Sequence, residues 1–354
     1  MALLGGKKGK PVVGLDIGSS AVKAVELKRA REVYELVSVG LEPLAPETVV
    51  DGAIIDAPAV SSAIDRIFGQ QKIRNKNVAT SVSGHSVIIK KVTMPNLADD
   101  ELYDQVHADA GQYIPFDIAD VNLDYQVLEA APAGDQVDIL LVAVKKEKIS
   151  NYTSALSLAG RSAAVVDVDA FALQNSYEFN YEPEPDKTVA LLNIGASVMN
   201  INIVRGGVPV FTRDVSVGGN QYTDALQKEL ELTFEDAENL KRGQQVATVS
   251  EDQKTAVLRS VSEILALEIQ KTFDFFRATA SGEHITQILV AGGSARVPGL
   301  LDLLKEEFQV PVEELDPFRR ITYNPAKFSE DYIYEVRPRL AVAVGLGLRS
   351  FDPA

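Results

Sequence analysis

The order of apolar and polar residues near the N-terminus predicts two strands joined by a tight turn. An apolar run leads into Asp16, breaks at Gly18–Ser20 and resumes as an alternating run over Ala21–Leu27. A period of two is typical of a strand with one buried face, and a Gly-Ser break is typical of a turn. The pattern alone is also that of an ordinary β-hairpin. In such a turn, several backbone N–H groups lie close to Asp16 and Lys23. This arrangement can bind an anion together with a hydrated divalent ion.

The same pattern recurs in the second half of the chain. From Thr188 the sequence reads TVALLNIGASVMNINIV, at an offset of 177 residues, which is half of 354. A strand-turn-strand pattern repeated at half the chain length indicates a duplicated α/β unit. The two glycine turns would then face each other across a cleft, a common place for a nucleotide. The offset pairs Asp16 with Asn193, Gly18 with Gly195, Ser20 with Ser197, and Lys23 with Asn200.

Residues 84–162 differ from the rest of the first half in their pattern of apolar and polar positions. They contain alternating segments typical of strands and two helical segments. They hold no catalytic constellation, and the acidic cluster Asp99–Glu101 stands at a helix start, where acids suit the positive end of the helix dipole. We interpret this block as an inserted small α+β domain that contacts a partner.

The second half ends with a strand that leads directly into a Gly-Gly loop. The strand is predicted over Ile285–Val290, the loop over Ala291–Ser294 and the next helix from Pro298. A glycine pair lets a ligand lie against bare backbone. Before this strand, residues 250–280 form a predicted long helix whose apolar stripe, including Ile264, is assigned to the core.

These elements predict an α/β fold in five parts. The parts are a flexible tail at 1–10, a first subdomain at 11–83 plus 163–182, the insert at 84–162, a second subdomain at 183–217 plus 283–354, and a small helical subdomain at 218–282.

Composition narrows the class of function. The net charge of −15 argues against nucleic-acid binding by phosphate neutralisation and against a broad polybasic membrane surface. The chain has no Cys, and its three His residues lack ligand spacing, so neither a thiolate nor a histidine metal site is expected. The longest near-apolar stretch, Leu340–Leu348, is too short to cross a membrane.

Four motifs, in this order, resemble those of the actin, Hsp70 and hexokinase superfamily. They correspond to its first phosphate, second phosphate, adenosine and second connecting motifs. The block after Ser83 and the sequence VVDVDAFAL at 165–173 further resemble the PilM family of type IV pilus assembly proteins, relatives of FtsA. The resemblance implies a duplicated actin/Hsp70-like (ribonuclease H-like) fold. The motifs are Asp16-x-Gly18-Ser19-Ser20-x-x-Lys23, Asn193-x-Gly195-Ala196-Ser197, Ala291-Gly292-Gly293-Ser294, and the small-residue helix at 341–347.

The resemblance also implies a site for ATP and Mg²⁺. Asp16 would face Mg²⁺ through water, and Asp169 would position the attacking water as a catalytic residue. The residues implied to contact the β- and γ-phosphates are Gly18, Ser19, Ser20 and Lys23, with Asn193, Gly195, Ala196 and Ser197 from the other half. Those implied to contact the nucleoside are Glu238 and Lys241 at the ribose, and Gly292, Gly293 and Ser294 at the adenosine.

One position departs from the superfamily pattern. Asn193 stands where relatives usually carry Asp. An amide can hydrogen-bond a metal-bound water, but it brings no charge and cannot accept a proton as a base. Since phosphoryl transfer depends on metal and water placement, we expect nucleotide binding to persist and hydrolysis to be slow or absent.

The resemblance implies a partner as well. Members of the family bind the cytoplasmic N-terminal segment of the membrane protein PilN, in a groove between the first subdomain and the insert. The expected location is therefore cytoplasmic, at the inner membrane through PilN, with a role in pilus biogenesis and twitching motility. PilO would be reached indirectly, the assembly ATPase and platform protein are further candidate partners, and self-association is left open.

Three other classes of protein fit parts of the sequence. The cytoplasmic part of a type II secretion protein shares the PilM-like fold, but it would continue into a transmembrane span, which is not found in the sequence. An FtsA-like filament protein would normally end in an amphipathic basic helix, and the sequence to Ala354 has none. A sugar or acetate kinase would need an additional acid as substrate base, and none is evident in the sequence. All three remain alternatives to the pilus scaffold.

Overall fold

The first half folds around an antiparallel meander. The computed structural model describes residues 4–5, 11–130, 134–279 and 283–351. Strands β2, β3 and β4 pair in succession, and α1 covers one face with Val60, Ile64 and Ile67 buried. The elements are β1 (Leu4–Gly5), β2 (Val13–Ile17), β3 (Ala21–Ala30), β4 (Val33–Pro43), β5 (Val49–Val50), β6 (Ala53–Ile54), α1 (Ala57–Gln70) and β7 (Asn77–Val82).

The inserted segment forms a three-stranded antiparallel sheet with a helix on one face. Its elements are β8 (Val87–Pro95), α2 (Asp99–Tyr113), β9 (Val121–Ala130) and β10 (Gln136–Lys145), followed by α3 (Lys146–Leu158). The strand order is β8-β10-β9. The central strand alternates between two cores: Ile139 and Leu141 pack toward α2, whereas Val142 and Val144 join the core of the first half.

Helix α3 corrects the predicted boundary of the insert. Tyr152, Ala155 and Leu156 are buried in the core of the first half, where α3 packs against α1. The body of the insert therefore ends with β10 rather than at residue 162. Sequence periodicity identified the helix but could not show which core its apolar face joins.

The chain then returns to the first sheet and enters the second. Helix α7 places Val261, Leu265 and Ile269 in the core of the second half. Ile264 was predicted in the same stripe but is 51% exposed, because it lies at the edge of that stripe. The elements are β11 (Ser162–Val168), α4 (Asp169–Tyr181), β12 (Thr188–Ile194), β13 (Met199–Arg205), β14 (Val208–Val215), α5 (Gly219–Leu230), α6 (Phe234–Lys241) and α7 (Glu251–Thr279).

The last segment is shared between the halves. Strand β17 pairs parallel to β4 in the first sheet, and α10 packs against β2, β3 and α4. The prediction that 283–354 belongs wholly to the second subdomain is thus wrong for these elements. Helix α8 begins after Gly299, whose φ of 82° is not helical, instead of at Pro298. The elements are β15 (Gln287–Ala291), α8 (Leu300–Phe308), β16 (Val312–Glu314), β17 (Ile321–Tyr323), α9 (Glu330–Val336) and α10 (Ala341–Leu348).

The two large sheets share one topology. The order β4-β3-β2-β7-β11 in the first corresponds to β14-β13-β12-β15-β16 in the second. In both, the first three strands are antiparallel and the last two are parallel to the third. The predicted duplicated α/β fold with an inserted α+β element is confirmed.

The N-terminal segment differs from its prediction at the described residues. The sequence predicts a flexible tail at 1–10, but Leu4 and Gly5 pair antiparallel with Val166 and Val165 of β11. Residues 1–3 and 6–10 lie outside the described residues. Across the described part of the chain, no helix combines the length and apolar character needed to span a membrane.

Candidate functional site

The first glycine turn carries a buried ion pair. Asp16 and Lys23 lie opposite each other on β2 and β3, and the Lys23 Nζ is 2.8 Å from the Asp16 Oδ2. Both side chains are mostly buried, at 13% and 14% exposure. The Gly18 N–H donates to the Ala21 carbonyl at 3.1 Å and closes the turn. An anion bound here would meet an ammonium already held in place by a carboxylate.

The second glycine turn repeats this geometry with neutral groups. The Gly195 N–H donates to the Val198 carbonyl at 3.0 Å. Asn193 and Asn200 are cross-strand partners on β12 and β13, and the Asn193 Nδ2 donates to the Asn200 Oδ1 at 2.9 Å. The pairing predicted from the sequence offset thus appears as two equivalent cross-strand pairs, one charged and one amide.

The two turns touch across the cleft. The Ser197 Oγ donates to the Ser19 Oγ at 2.8 Å, although the residues are 178 positions apart. Ser20 is exposed at the rim, and its carbonyl accepts from the Leu44 N–H at 2.9 Å. The structure therefore brings the two predicted phosphate turns together with their hydroxyls facing one another.

The Gly-Gly loop after β15 lies directly behind the second turn. Gly292 has a φ of 93°, and a Cβ there would lie closer than 3.0 Å to the Ile194 backbone. The Ser294 Oγ donates to the Gly195 carbonyl at 3.2 Å. Only glycine permits this close approach, because any side chain at 292 would displace the strand that carries the turn.

Helix α5 contributes a second glycine pair that sequence reasoning did not assign to the site. The Gly219 N–H donates to the Gly195 carbonyl at 2.9 Å, and the Asn220 N–H donates to the Ala196 carbonyl at 2.8 Å. A Cβ on Gly218 would lie 2.7 Å from the Ala196 carbonyl oxygen. A Gly-Gly pair that opens a helix was the available signal for this role.

Glu238 and Lys241 form one polar cluster at the start of α5. The Lys241 ammonium contacts the Glu238 carboxylate, and it donates to the Thr223 hydroxyl at 2.9 Å and to the Gly219 carbonyl at 3.3 Å. Burial alone would raise the pKa of Glu238, but the Lys241 cation and hydrogen bonds from Lys241 and Thr223 lower it below its ordinary value. Burial lowers the pKa of Lys241, with the Glu238 carboxylate acting in the opposite direction, and the pair lies against the Gly219 backbone.

Arg339 is a further residue that the sequence did not single out. Its side-chain carbons would lie 3.7 and 3.8 Å from a Cβ placed on Gly293. Burial lowers the pKa of Arg339 from its ordinary value, with Glu335 acting in the opposite direction. The half-buried side chain of Arg339 therefore packs beside the Gly-Gly loop.

Asp169 is the first residue of α4 and lies close enough to Asp16 to interact with its charge. The Ser81 Oγ donates to its Oδ1 at 2.5 Å. Burial, with the nearby Asp16 carboxylate as second cause, raises the pKa of Asp169 from 3.8 to about 6. A carboxyl with such a pKa can exchange a proton near neutral pH.

Asp214 on β14 supplies an acid that the motif analysis missed. Asn200 lies opposite both Asn193 and Asp214, so the three form one line across β12, β13 and β14. The Asn200 Nδ2 donates to the Asp214 Oδ1 at 2.8 Å. Asp214 lies outside the glycine motif, and only the strand register places it beside Asn193.

The acids of the site fit a magnesium ion that is held mainly by phosphate and water. No group of three acidic or histidine side chains among the described residues is arranged as a metal site. Mg²⁺ usually binds proteins through one or two carboxylates, keeping waters and phosphate oxygens as its other ligands. Asp16 beside the Gly18–Ser20 turn suits that single-carboxylate role.

Substitution of Asp169 by asparagine is expected to stabilise the protein at neutral pH. Because the carboxyl has a pKa of about 6 when folded and 3.8 ordinarily, the folded state retains a proton that the unfolded chain has lost. The free energy of unfolding therefore falls as pH rises from about 4 to about 6, and the cost is complete above pH 6. Asp169→Asn removes that cost, and we expect a gain of up to roughly 3 kcal/mol at pH 7.5.

Urea unfolding of both proteins between pH 4.5 and 7.5 measures this difference. The gain should be small at the acidic end and increase with pH. A gain that is constant across this range would contradict the elevated pKa. Asp65→Asn, at an exposed acid on α1, is the control and should show no such trend.

The topology and the paired glycine turns define a protein of the actin-like ATPase fold. The model for "Type IV pilus assembly protein PilM" matches residues 14–351. The chain therefore belongs to the PilM family of type IV pilus assembly proteins.

Individual proteins agree with this assignment. A solved PilM-PilN type IV pilus biogenesis complex has 28% identity and a TM-score of 0.86, covering 98% of this chain and 100% of the other. The cell division protein FtsA of Streptococcus pneumoniae serotype 2 is 24% identical over 88% of this chain and 77% of its own length. MreB5 of Spiroplasma citri, solved with ADP, has 14% identity and a TM-score of 0.53, covering 95% of this chain and 94% of the other, and shares the fold.

Proposed function

We propose that this protein is an Mg·ATP-binding scaffold of type IV pilus assembly that binds the cytoplasmic N-terminal segment of PilN. The family assignment supports the assembly role, and the PilM-PilN complex is the basis for the partner. The nucleotide is inferred from the site itself. The protein acts at the inner membrane through PilN, in the cytoplasm, and serves pilus biogenesis and twitching motility.

The observation that carries the nucleotide proposal is the contact between the two glycine turns. The hydrogen bond from Ser197 to Ser19 joins the Gly18–Ser20 turn to the Gly195–Ser197 turn, and this contact supports a shared site for one ligand. Lys23 and Asp16 stand at one side of it as a preformed ion pair. Two anion-binding turns beside one carboxylate match a polyphosphate with its Mg²⁺.

Each group of residues has a proposed task. Lys23 and the Gly18–Ser20 turn hold the β- and γ-phosphates, and Asp16 orients Mg²⁺ through water. Gly195–Ser197 hold the phosphates from the opposite side. Glu238 and Lys241 contact the ribose, and Gly292–Ser294 contact the adenosine. When bound, Mg·ATP supplies the negative charge that joins the two halves.

Hydrolysis is proposed to be slow. Asp169 orients a water and accepts its proton, but Asn193 replaces an acid and is held in an amide pair with Asn200. Without that charge, the placement of metal and water is weakened. The nucleotide then acts as a component of the assembled state more than as a substrate.

The PilN segment is proposed to bind between the first subdomain and the inserted sheet. Other pilus proteins, namely PilO, the assembly ATPase and the platform protein, are reached through this complex. Docking of an extended peptide through backbone contacts and side-chain pockets gives affinity for the membrane protein that carries it. ATP binding sets the angle between the halves and thereby the shape of this groove.

Calorimetry of the purified protein with Mg·ATP, with and without a synthetic PilN N-terminal peptide, tests the proposal. We expect ATP binding, and a peptide affinity that differs with and without the nucleotide. A peptide affinity that is indifferent to ATP would reject the coupling. Absence of peptide binding altogether would reject the PilN segment as the partner of this protein.

A further inference from the structure

Both chain connections of the inserted sheet pass through one point beside the candidate nucleotide site. The chain enters the sheet after Gly84 and leaves it at Lys145, where α3 begins. The Lys145 N–H donates to the Ser86 carbonyl at 3.1 Å, so the connections lie side by side. Any shift at this point moves β8 and β10 together.

The first connection is held by an acid from the other half of the molecule. The Gly84 N–H donates to the Asp214 Oδ2 at 2.6 Å. Through its other oxygen, Asp214 accepts from Asn200, and Asn200 accepts from Asn193 beside the second glycine turn. A continuous line of hydrogen bonds therefore runs from the phosphate turn to the start of the insert.

The second connection is held by a buried lysine. Lys148, on the first turn of α3, is 7% exposed, and its ammonium contacts the Gly52 carbonyl. The Tyr152 hydroxyl donates to the same carbonyl at 2.9 Å. A Cβ on Gly52 would lie 3.2 Å from the Ser83 carbonyl oxygen, so this contact adjoins the first connection.

Lys148 faces the acids of the site without pairing with one. Among the described residues, no carboxylate lies within ion-pair distance of its ammonium. Burial lowers the pKa of Lys148, and the carboxylates of Asp169, Asp214 and Asp51 act in the opposite direction. A buried ammonium near acids that form no ion pair with it changes its position or its contacts when a charge is added between them.

We propose that Lys148 and Asp214 are positioning residues that couple occupancy of the nucleotide site to the inserted domain. This inference rests on the proposed binding of nucleotide. Mg-nucleoside triphosphate adds net negative charge beside Asp16 and Asp169, which attracts Lys148 and repels Asp214. The contact of Asp214 with Gly84 and the contact of Lys148 with Gly52 therefore change together. A nucleoside diphosphate carries less negative charge and changes these contacts less.

Hydrogen exchange on the full chain tests the coupling. Exchange is followed over residues 84–95 and 140–152 in protein alone, with Mg·AMPPNP and with Mg·ADP. We expect AMPPNP to change exchange in both segments by on the order of threefold or more, and ADP to change it less. Lys148→Met should abolish this difference and keep AMPPNP binding measurable by calorimetry.

Two further variants separate coupling from a merely structural role. Glu147→Gln removes an exposed charge from the same helical turn and should keep the full response. Asp214→Asn keeps an acceptor for the Gly84 N–H but removes the charge, so it should fold normally and lose most of the response.

The outcomes distinguish the two proposals. Absence of AMPPNP binding to the wild-type protein would reject the nucleotide proposal and this coupling with it. Binding that leaves both segments unchanged would reject the coupling alone. A full response in Lys148→Met or in Asp214→Asn would also reject it.

Discussion

Among the glycines of the described residues, Gly345 is expected to cause the largest loss of stability when it is replaced by alanine. A Cβ at Gly345 would lie far closer than 3.0 Å to the Ala172 carbonyl oxygen, and 2.6 Å from its carbonyl carbon. These are backbone atoms of α4, so no side chain can move aside. Overpacking a well-packed core costs about 1–3 kcal/mol and more where backbone must shift, and we expect at least about 3 kcal/mol here.

The reason for this sensitivity is the position of α10. The helix is buried at every residue and packs against both α4 and the hairpin of β2 and β3. Gly14 on β2 faces it with a similarly close approach, since a Cβ at Gly14 would collide with the Ala343 carbonyl oxygen. Small residues are therefore required on both sides of this contact.

Urea unfolding followed by circular dichroism measures the effect. Gly69→Ala is the matched control, because Gly69 is also in a helix but a Cβ there would meet nothing within 4 Å. It should be neutral or gain up to about 1 kcal/mol, as expected for Gly to Ala in a helix. Equal stabilities for the two variants would show that the close packing of α10 is unimportant.

Replacing Asp16 by alanine is expected to remove the Mg²⁺-dependent part of ATP affinity. The carboxylate is the one acid on the first phosphate turn, and it is held in place by Lys23. Because its removal both deprives Mg²⁺ of its carboxylate and leaves Lys23 unpaired, ATP affinity in Mg²⁺ should fall by roughly 100-fold, about 2.7 kcal/mol. Affinity in the presence of a chelator should change far less.

The control for this variant is another cross-strand ion pair in the same sheet. Lys28 and Glu35 pair at 3.0 Å on β3 and β4, away from the turn. Glu35→Ala should leave ATP affinity unchanged both in Mg²⁺ and in chelator. An Asp16→Ala protein whose affinity still depends fully on Mg²⁺ would refute the metal role.

Robust Mg²⁺-dependent phosphate release by the wild type, lost in Asp16→Ala, would instead overturn the expectation of slow hydrolysis.

The sequence was sufficient to find the two glycine turns and their duplication. A turn is a local structure, and the spacing of Asp16 to Lys23 and of Asn193 to Asn200 fixes each as a cross-strand pair. Strand and helix periods likewise located the main elements to within a few residues, since each period reflects one buried face. The family assignment followed from the order of those motifs and is confirmed.

Domain boundaries depended on tertiary structure. Helix α3 has an apolar face that suits either the insert or the first half, and only packing against α1 decides between them. Strand β17 and helix α10 follow the second half in sequence yet join the first sheet. Periodicity reports that a face is buried, but not against which element.

The residues of the site likewise fall into two groups, those that the sequence identifies and those that only the fold brings to the site. By itself, the sequence determined the glycine turns, the acid and lysine at 16 and 23, and the amide at 193, because neighbours in sequence create them. Only the tertiary structure decided that Asp214 lies beside Asn200, Arg339 beside Gly293 and Lys148 against Gly52. Strand register and helix packing bring those residues in from distant segments, and contacts between distant segments leave no period in the sequence.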